Sequence, residues 1–493
     1  MKLTVKDSDI ATGGVKVVLL NQKDAEKLDL HHLDRVRITK GKKTCTTVIN
    51  IAESTRAMPK GKIGLFEEVI DALNAKQGQK IDIKLAKKPE SVSYIRKKLD
   101  GKELKKEEIL QIIKDIVNDE LTEIELTSYI TANYTKGMSP KETFYLTKAM
   151  MQTGTIIKFK QKPIVDLHSI GGVPGNRTTM IIVPILAAAG LKIPKTSTRA
   201  ITSPAGTADT MEVLANVTHG PRELKKIMKK AGAFMIWGGS VNLAPADDKI
   251  IKVESPLSID AEGQMLASIM SKKASVDAKY LLLEIPIGPK VKNRYQAEKL
   301  ESHFKTLAHK LKIKIKIMIT DGTQPIGNGI GPILEAIDCL AVLQNAGPKD
   351  LREKSLRMAG EMLEFMKKTT KGYDLAKEIL ETGKAYEKMK QIIKAQGSQI
   401  KKIEELIPGN CKFNVKAGKT GRIKEIDNYS IAKIARIAGA PKDKGAGIYL
   451  YFHKGDKVKK GKNYYTIFAE NKTELDYAVE IGKKLKWGIK IGR

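Results

Sequence analysis

Residues 163–189 read PIVDLHSIGGVPGNRTTMIIVPILAAA, and this stretch decides the fold. Pro163 to Leu167 form a short apolar run bounded by a loop signal, which predicts a strand, and Met180 to Ala189 are apolar enough for a largely buried helix. Between them lies SIGGVPGN, in which Gly171, Gly172 and Gly175 allow a tight turn and Asn176 is placed to cap the helix. A helix N-terminus offers unpaired N–H groups and partial positive charge, so the expected guest is an anion, most simply phosphate. His168, Ser169 and Gly171 are the candidate phosphate-binding residues of this loop. A glycine-rich turn also joins many strands to helices without binding anything. Recurrence of the same pattern downstream raises the binding alternative.

That recurrence is KTSTRAITSPAGTADTME, residues 195–212. Hydroxyls at Thr196, Ser197, Thr198, Thr202, Ser203 and Thr207 surround Arg199, and a helix is expected from Asp209. Hydroxyls and backbone N–H groups around an arginine suit phosphate oxygens or sugar hydroxyls, although Ser/Thr-rich loops are often only solvated turns. Ligands of α/β sheets sit beyond the C-terminal ends of the strands, which favours the binding alternative here. A third feature is SIDAEGQMLASIMSKK, residues 258–273, where helical spacing sets Asp260, Gln264, Ser268 and Lys272 on one drifting stripe. An acid, an amide, a hydroxyl and an amine on one face can grip a base and protonate it, and a solvated polar face is the plainer alternative. Lys279 to Pro286 predict a buried strand, after which Lys290 or Lys292 would meet the other loops.

Around these stretches, residues 1–84 alternate short β-like runs with turn signals and predict a β-rich domain. Residues 85–160 turn helical, with Ile109, Ile112, Ile113 and Ile116 at spacings of three and four. Residues 161–408 are assigned to a central α/β lobe and 409–493 to a C-terminal α+β domain, with His453 placed on a strand surface. Neither the glycines at 327, 329 and 331 nor the AGKT at 417–420 completes a dinucleotide fingerprint or a P-loop.

Composition narrows the class. No apolar run approaches the ~18 residues of a membrane span, and Met1 to Ile10 lack the apolar stretch of a signal peptide, so a cytoplasmic protein is expected. Three scattered cysteines, Cys45, Cys339 and Cys411, predict neither a disulfide framework nor a metal cluster. The net charge of +32, from 88 Lys+Arg against 56 Asp+Glu, would suit nucleic acid if it were gathered on one face. Paired lysines are instead spread along the chain, and aromatic residues make up 5%, few for stacking on single strands. No nucleic-acid partner is expected, and the charge would steer anionic metabolites.

Six stretches in order carry a family resemblance: IRKKLDGKELKKEEI (95–109), KGMSPKETFYLTKAMMQTG (136–154), DLHSIGGVPG (166–175), SxR…GTxDxxE (197–212), ASIMSKK (267–273) and GAGIYLYFHKGDKVKKG (445–461). Together they resemble the thymidine/pyrimidine nucleoside phosphorylase family. The resemblance implies a multidomain α/β and α+β nucleoside phosphorylase fold, a helical lobe facing an α/β lobe across a cleft, with a smaller C-terminal domain and usually a dimer. It also implies that residues at about 240–275 join the helical lobe. Two departures stand out, Leu167 where thymidine phosphorylases have a lysine and Val253 where they have a base-binding arginine. These departures, the added domain at 1–84 and the TSTRAITSPAGTADT sequence resemble the AMP phosphorylase branch instead.

That resemblance implies an enzyme, a pentosyltransferase of nucleotide degradation. AMP, with CMP and UMP as further substrates, would react with inorganic phosphate to give free base and ribose 1,5-bisphosphate. Asp260 stands where the family places its proton donor. Gly172, Thr198, Arg199, Ala200, Ile201, Thr202, Ser203, Thr207, Ser268 and Lys292 match substrate-binding positions, and Ser197 joins the phosphate candidates. No metal or other cofactor is implied, phosphate being a co-substrate, and the assembly would be a homodimer or larger. The chemistry agrees: a leaving adenine needs a proton on a ring nitrogen, and a carboxylic acid kept near neutral by burial or neighbouring charge can give it. The alternatives are a pyrimidine nucleoside phosphorylase and a basic RNA-binding protein on a disused enzyme fold.

Overall fold

A computed structural model describes residues 1–200, 203–257, 259–400 and 403–492. The chain forms two compact units, Met1–Thr153 with Pro245–Ala267, and Gly154–Ala244 with Ser268–Arg493.

The first unit opens with six strands, β1 Lys2–Asp7, β2 Val17–Asn21, β3 Arg35–Lys40, β4 Lys43–Ala52, β5 Lys62–Leu65 and β6 Lys80–Leu85, closed into a barrel in the order β1-β5-β2-β4-β3-β6. Alternation makes the barrel possible. Leu3 and Val5, Val18 and Leu20, Val36 and Ile38, and Ile81 and Ile83 are buried at every second position, which gives each strand one apolar face for the interior. Helices Ser91–Leu99, Lys106–Val117, Glu123–Lys136, Pro140–Thr153 and Pro245–Leu257 complete the unit. The isoleucines at 109, 112, 113 and 116 are all buried, and Thr122 and Glu125 cap the third helix reciprocally. Within this unit Lys16 of the strand-rich part and Lys249 both pair with Asp119, and Arg35 pairs with Glu125.

The second unit is built on parallel strands. β7 Val165–Ser169, β10 Tyr280–Ile287 and β11 Lys314–Asp321 form one sheet in the order β11-β10-β7. β8 Ile193–Ser197 pairs in parallel with β9 Ala233–Trp237, and a single parallel bridge from Ile164 to Lys192 joins that pair to β7. All five strands therefore end on one edge, where their loops gather. The apolar run after the glycine loop becomes helix Thr178–Ala188, buried along nearly all of its length between the sheet and helices Lys349–Phe365 and Lys384–Gln396. The C-terminal part has a four-stranded sheet in the order Gly329–Ile330, Gly447–Leu450, Asn463–Ala469, Cys411–Lys416, and a separate three-stranded sheet. His453 lies in a loop rather than on a strand, with its Nε2 3.0 Å from Asn328 Oδ1. The strand assignment fails there because the chain leaves the sheet at Tyr451 to make the turn before Lys457.

Candidate active site

The glycine loop leaves β7 over a buried charged cluster. Asp166 has no exposed surface, accepts the Leu167 N–H at 2.7 Å, and pairs with Lys273 Nζ at 2.8 Å. Lys195, the middle residue of β8, is also buried, and its ammonium donates to the Leu167 carbonyl at 2.8 Å. One carboxylate thus faces two amines in a dry environment. Burial, reinforced by repulsion from Lys273, pushes the Lys195 amine down to about 7. His168 next to this cluster is held well below the ordinary imidazole range, first by burial and then by Lys273, Lys195, Lys272 and Lys290. At pH 7 it is therefore a neutral ring, able to donate from one nitrogen, amid lysines that favour an anion.

Beyond His168 the loop is anchored from several sides. Asn176 Nδ2 donates to Ser169 Oγ and to Glu284 Oε2, both at 3.3 Å. Glu284 also accepts from Thr320 at 2.6 Å and pairs with Lys354 at 2.5 Å. Asn176 is thus a loop brace. Arg177 occupies the position expected of it at the helix cap, without a side-chain capping bond. Gly172, at φ +105°, approaches Pro289 and Lys290, where a Cβ would stand 3.2 Å from Pro289 Cβ. Gly175, at φ +72°, presses on the chain at Ile326, while a Cβ on the exposed Gly171 would meet nothing within 4 Å. Gly171 is therefore the point where a ligand can approach the backbone.

Ser197 ends β8, and the residues after it fold around Asp209. Asp209 Oδ2 accepts from the N–H groups of Ala200 at 2.7 Å and Gly206 at 2.9 Å, so one carboxylate closes the loop. Arg199 makes a two-pronged contact with Glu212, 2.6 Å on each prong, and lies 5.0 Å over the Trp237 ring. The Arg199 hydrogen bonds, with Lys444 adding to them, hold the Glu212 carboxyl down at about 2. Arg199 is thus tied to protein carboxylates and shapes the loop. Thr198 and Ser203 are half-buried, Ser203 donating to the Ala205 carbonyl at 2.9 Å. Thr207 begins the helix Thr207–Glu212, two residues earlier than expected. Ile201 and Thr202 lie outside the described residues.

Lys292 is exposed, with its ammonium on the Pro289 carbonyl at 2.7 Å, in the same 288–292 turn that meets Gly172. Ser268 accepts from Lys272 Nζ at 3.2 Å on helix Glu262–Ser275. The stripe expected on that helix is corrected at two positions. Asp260 precedes the helix, which starts at Glu262, and it is exposed, so its carboxyl is not buried. Gln264 is buried instead, between Asn133 and Glu254, and serves packing in the first unit. Asp260 belongs to that first unit, whereas the other described candidates belong to the second. Leu167, in the place of a family lysine, is a core residue 1% exposed. Among the described residues no three His, Cys, Asp or Glu side chains gather as metal ligands would, and no helix is long and apolar enough to cross a membrane.

Residues not singled out from sequence are Asp166, Lys195 and Lys273 beneath His168, and the Arg177–Glu335 pair beside the loop. A lysine opening a Ser/Thr-rich run reads as solvated, and only its register on β8 turns it inward.

Residues 92–154 match the glycosyl transferase family helical bundle domain, 161–261 the a/b domain of that family, and 422–491 the pyrimidine nucleoside phosphorylase C-terminal domain. AMP phosphorylase of Thermococcus kodakarensis is 45% identical over 490 residues, covering 98% of this chain and 97% of its own. The chain belongs to the AMP phosphorylase family. AMP phosphorylase of Methanococcoides burtonii is also 45% identical, over 98% of this chain and 96% of its own, and AMP phosphorylase 1 of Archaeoglobus fulgidus is 43% identical over 94% and 92%. Among solved structures, anthranilate phosphoribosyltransferase from Thermus thermophilus superposes with a TM-score of 0.53 at 18% identity, over 61% of this chain and 98% of that one. That likeness concerns the fold. The similarity to AMP phosphorylases runs through the N-terminal barrel as well as the transferase domains.

Proposed function

We propose that this chain catalyses the phosphorolysis of AMP by inorganic phosphate. The C1′–N9 bond breaks with its electron pair leaving on adenine, a phosphate oxygen bonds to C1′, and the products are adenine and ribose 1,5-bisphosphate. The observation that carries this proposal is 45% identity to an AMP phosphorylase over 98% of the chain. The geometry of the second unit suits it, with two loops at the ends of adjacent parallel strands, a neutral imidazole amid lysines, and an open approach to Gly171.

In this mechanism the residues divide by task. His168, Ser169, Gly171 and Ser197 hold phosphate oxygens, Gly172, Thr198, Ala200 to Ser203, Thr207, Ser268 and Lys292 hold the nucleotide, and Arg199, paired with Glu212, keeps their loop in shape. Asp260 gives the proton to the leaving base. The reaction uses no cofactor, phosphate being the second substrate, and CMP and UMP are alternative substrates. The protein works in the cytoplasm as a homodimer or larger homo-oligomer, which light scattering on the purified chain tests.

A pyrimidine nucleoside phosphorylase is the second reading, favoured by the C-terminal domain match at 422–491. Adenine release from AMP, required to depend on phosphate and absent with adenosine, separates the two. Release from thymidine or uridine in preference to AMP would favour the second.

A further inference from the structure

A largely covered arginine and a buried glutamate join three of the loops at the strand ends. Arg177, at the start of helix Thr178–Ala188, has a side chain 11% exposed. Its Nε lies 2.5 Å from Glu335 Oε2, its Nη1 donates to the Asn176 carbonyl at 3.0 Å, and its Nη2 donates to the Ala205 carbonyl. Glu335, on helix Pro332–Leu343 and 1% exposed, uses its remaining capacity elsewhere. Its Oε2 accepts from Thr210 Oγ1 at 3.1 Å, and its Oε1 accepts from the Gly331 N–H at 3.2 Å. The contacts therefore reach the loop after β7 through Arg177, the loop after β8 through Ala205, the helix following it through Thr210, and the chain after β11 through Gly331.

Such a pair is an expensive way to fill a core. Two charges lose their hydration there, and apolar side chains of similar volume are often as stabilising or more so. Burial does push the Glu335 carboxyl up, against the pull of Arg177. What an apolar pair cannot reproduce is directionality, because the pair's hydrogen bonds to the Ala205 carbonyl, the Thr210 hydroxyl and the Gly331 N–H fix distances that packing alone leaves soft.

We propose that the Arg177–Glu335 pair is the positioning element that sets the loop after β7 and the loop after β8 at one fixed separation, so that phosphate and nucleotide meet at reacting distance. This rests on the proposed AMP phosphorolysis. Neither residue touches the reacting atoms. Each loop keeps its own ligand groups without the pair, and what is lost is their mutual placement, to which a rate is sensitive by on the order of 10²-fold per ångström.

The test combines Arg177→Met with Glu335→Leu in one chain and compares it with Glu335→Leu and with Arg177→Lys. Adenine release gives kcat, and calorimetry gives the dissociation constants of AMP alone and of inorganic phosphate alone. The double variant is expected to regain denaturation resistance relative to Glu335→Leu, which leaves a cation unpaired, and to bind each substrate within about threefold of wild type while kcat falls roughly 100-fold. Arg177→Lys, which keeps the charge but not the two-nitrogen reach to the Asn176 and Ala205 carbonyls, should fall between. A double variant with wild-type kcat, or one whose two dissociation constants collapse along with it, overturns the proposal. Should the double variant not fold, Arg177→Lys decides, with unchanged kcat overturning the proposal and reduced kcat at unchanged affinities supporting it. A wild-type protein that releases no adenine refutes the proposed reaction as well, whereas an active wild type with an equally active double variant refutes the positioning role alone.

Discussion

Gly175→Ala tests how tightly the glycine loop is held. At φ +72° an alanine pays the left-handed penalty of roughly 1–2 kcal/mol. Its Cβ would also lie 2.1 Å from the Ile326 carbonyl oxygen and 3.0 Å from that of Gly329. Both obstacles are main chain, and they are pinned. The Ile326 N–H donates to the Pro174 carbonyl at 3.1 Å, and those of Asn328 and Gly329 donate to Asp338 at 2.7 Å. Overpacking against such a wall costs about 1–3 kcal/mol, so the variant should lose about 2–5 kcal/mol of stability in all. Relieving the contact to an ordinary separation moves the backbone by about 1 Å, and a shift of that size at a reacting centre can lower kcat/KM by about 100-fold. Urea unfolding and adenine release from AMP measure the two effects. Gly171→Ala is the contrast, because its Cβ meets nothing within 4 Å. Stability should stay within about 0.5 kcal/mol while phosphate KM rises, since the methyl group occupies the ligand's approach. Wild-type stability and activity in Gly175→Ala would refute the account of the loop.

Further outcomes follow from the charged groups. Lys195 has its amine depressed to about 7 from an ordinary 10.5, so between those values the unfolded chain binds more protons than the native one. Its full cost is felt below pH 7, and wild-type stability should climb from pH 7 to 9, relative to Lys195→Met, by up to about 1.4 kcal/mol per unit. Parallel stability curves for the two proteins would contradict this. Asp260→Asn should lower kcat by roughly 10²- to 10⁴-fold with little change in urea midpoint, the exposed side chain contributing little to packing. Full activity in that variant removes the proton-donor role.

Much of the second unit was legible because local signals agreed there. The apolar run before the glycines, the glycines themselves and the apolar run after them each predict the element found, and the isoleucine spacing of 109–116 and the β-like runs between turn signals in 1–84 did the same for the first unit. Misplacements came where a side chain's role is set by residues distant in sequence. Asn176 has the right chemistry to cap a helix, but Ser169 and Glu284 claim its amide, and Arg177 takes the cap position. Gln264 fits a polar stripe by spacing, yet Asn133 and Glu254 draw it inside. Arg199 looks free to hold an anion until Glu212 and Asp209 are brought to it by the helix that follows. Nothing local distinguishes Arg177 or Glu335 from any solvated charged residue, since their importance exists only once β7, β8 and β11 end on a common edge.

The central claim is the chemistry, and the most direct measurement is chromatographic detection of free base from AMP, adenosine and thymidine, each with and without inorganic phosphate. The account predicts adenine from AMP only when phosphate is present, with a bisphosphorylated ribose formed in equal amount, and little or nothing from adenosine or thymidine. Base release from thymidine in preference to AMP, or no release from any of them, would contradict it.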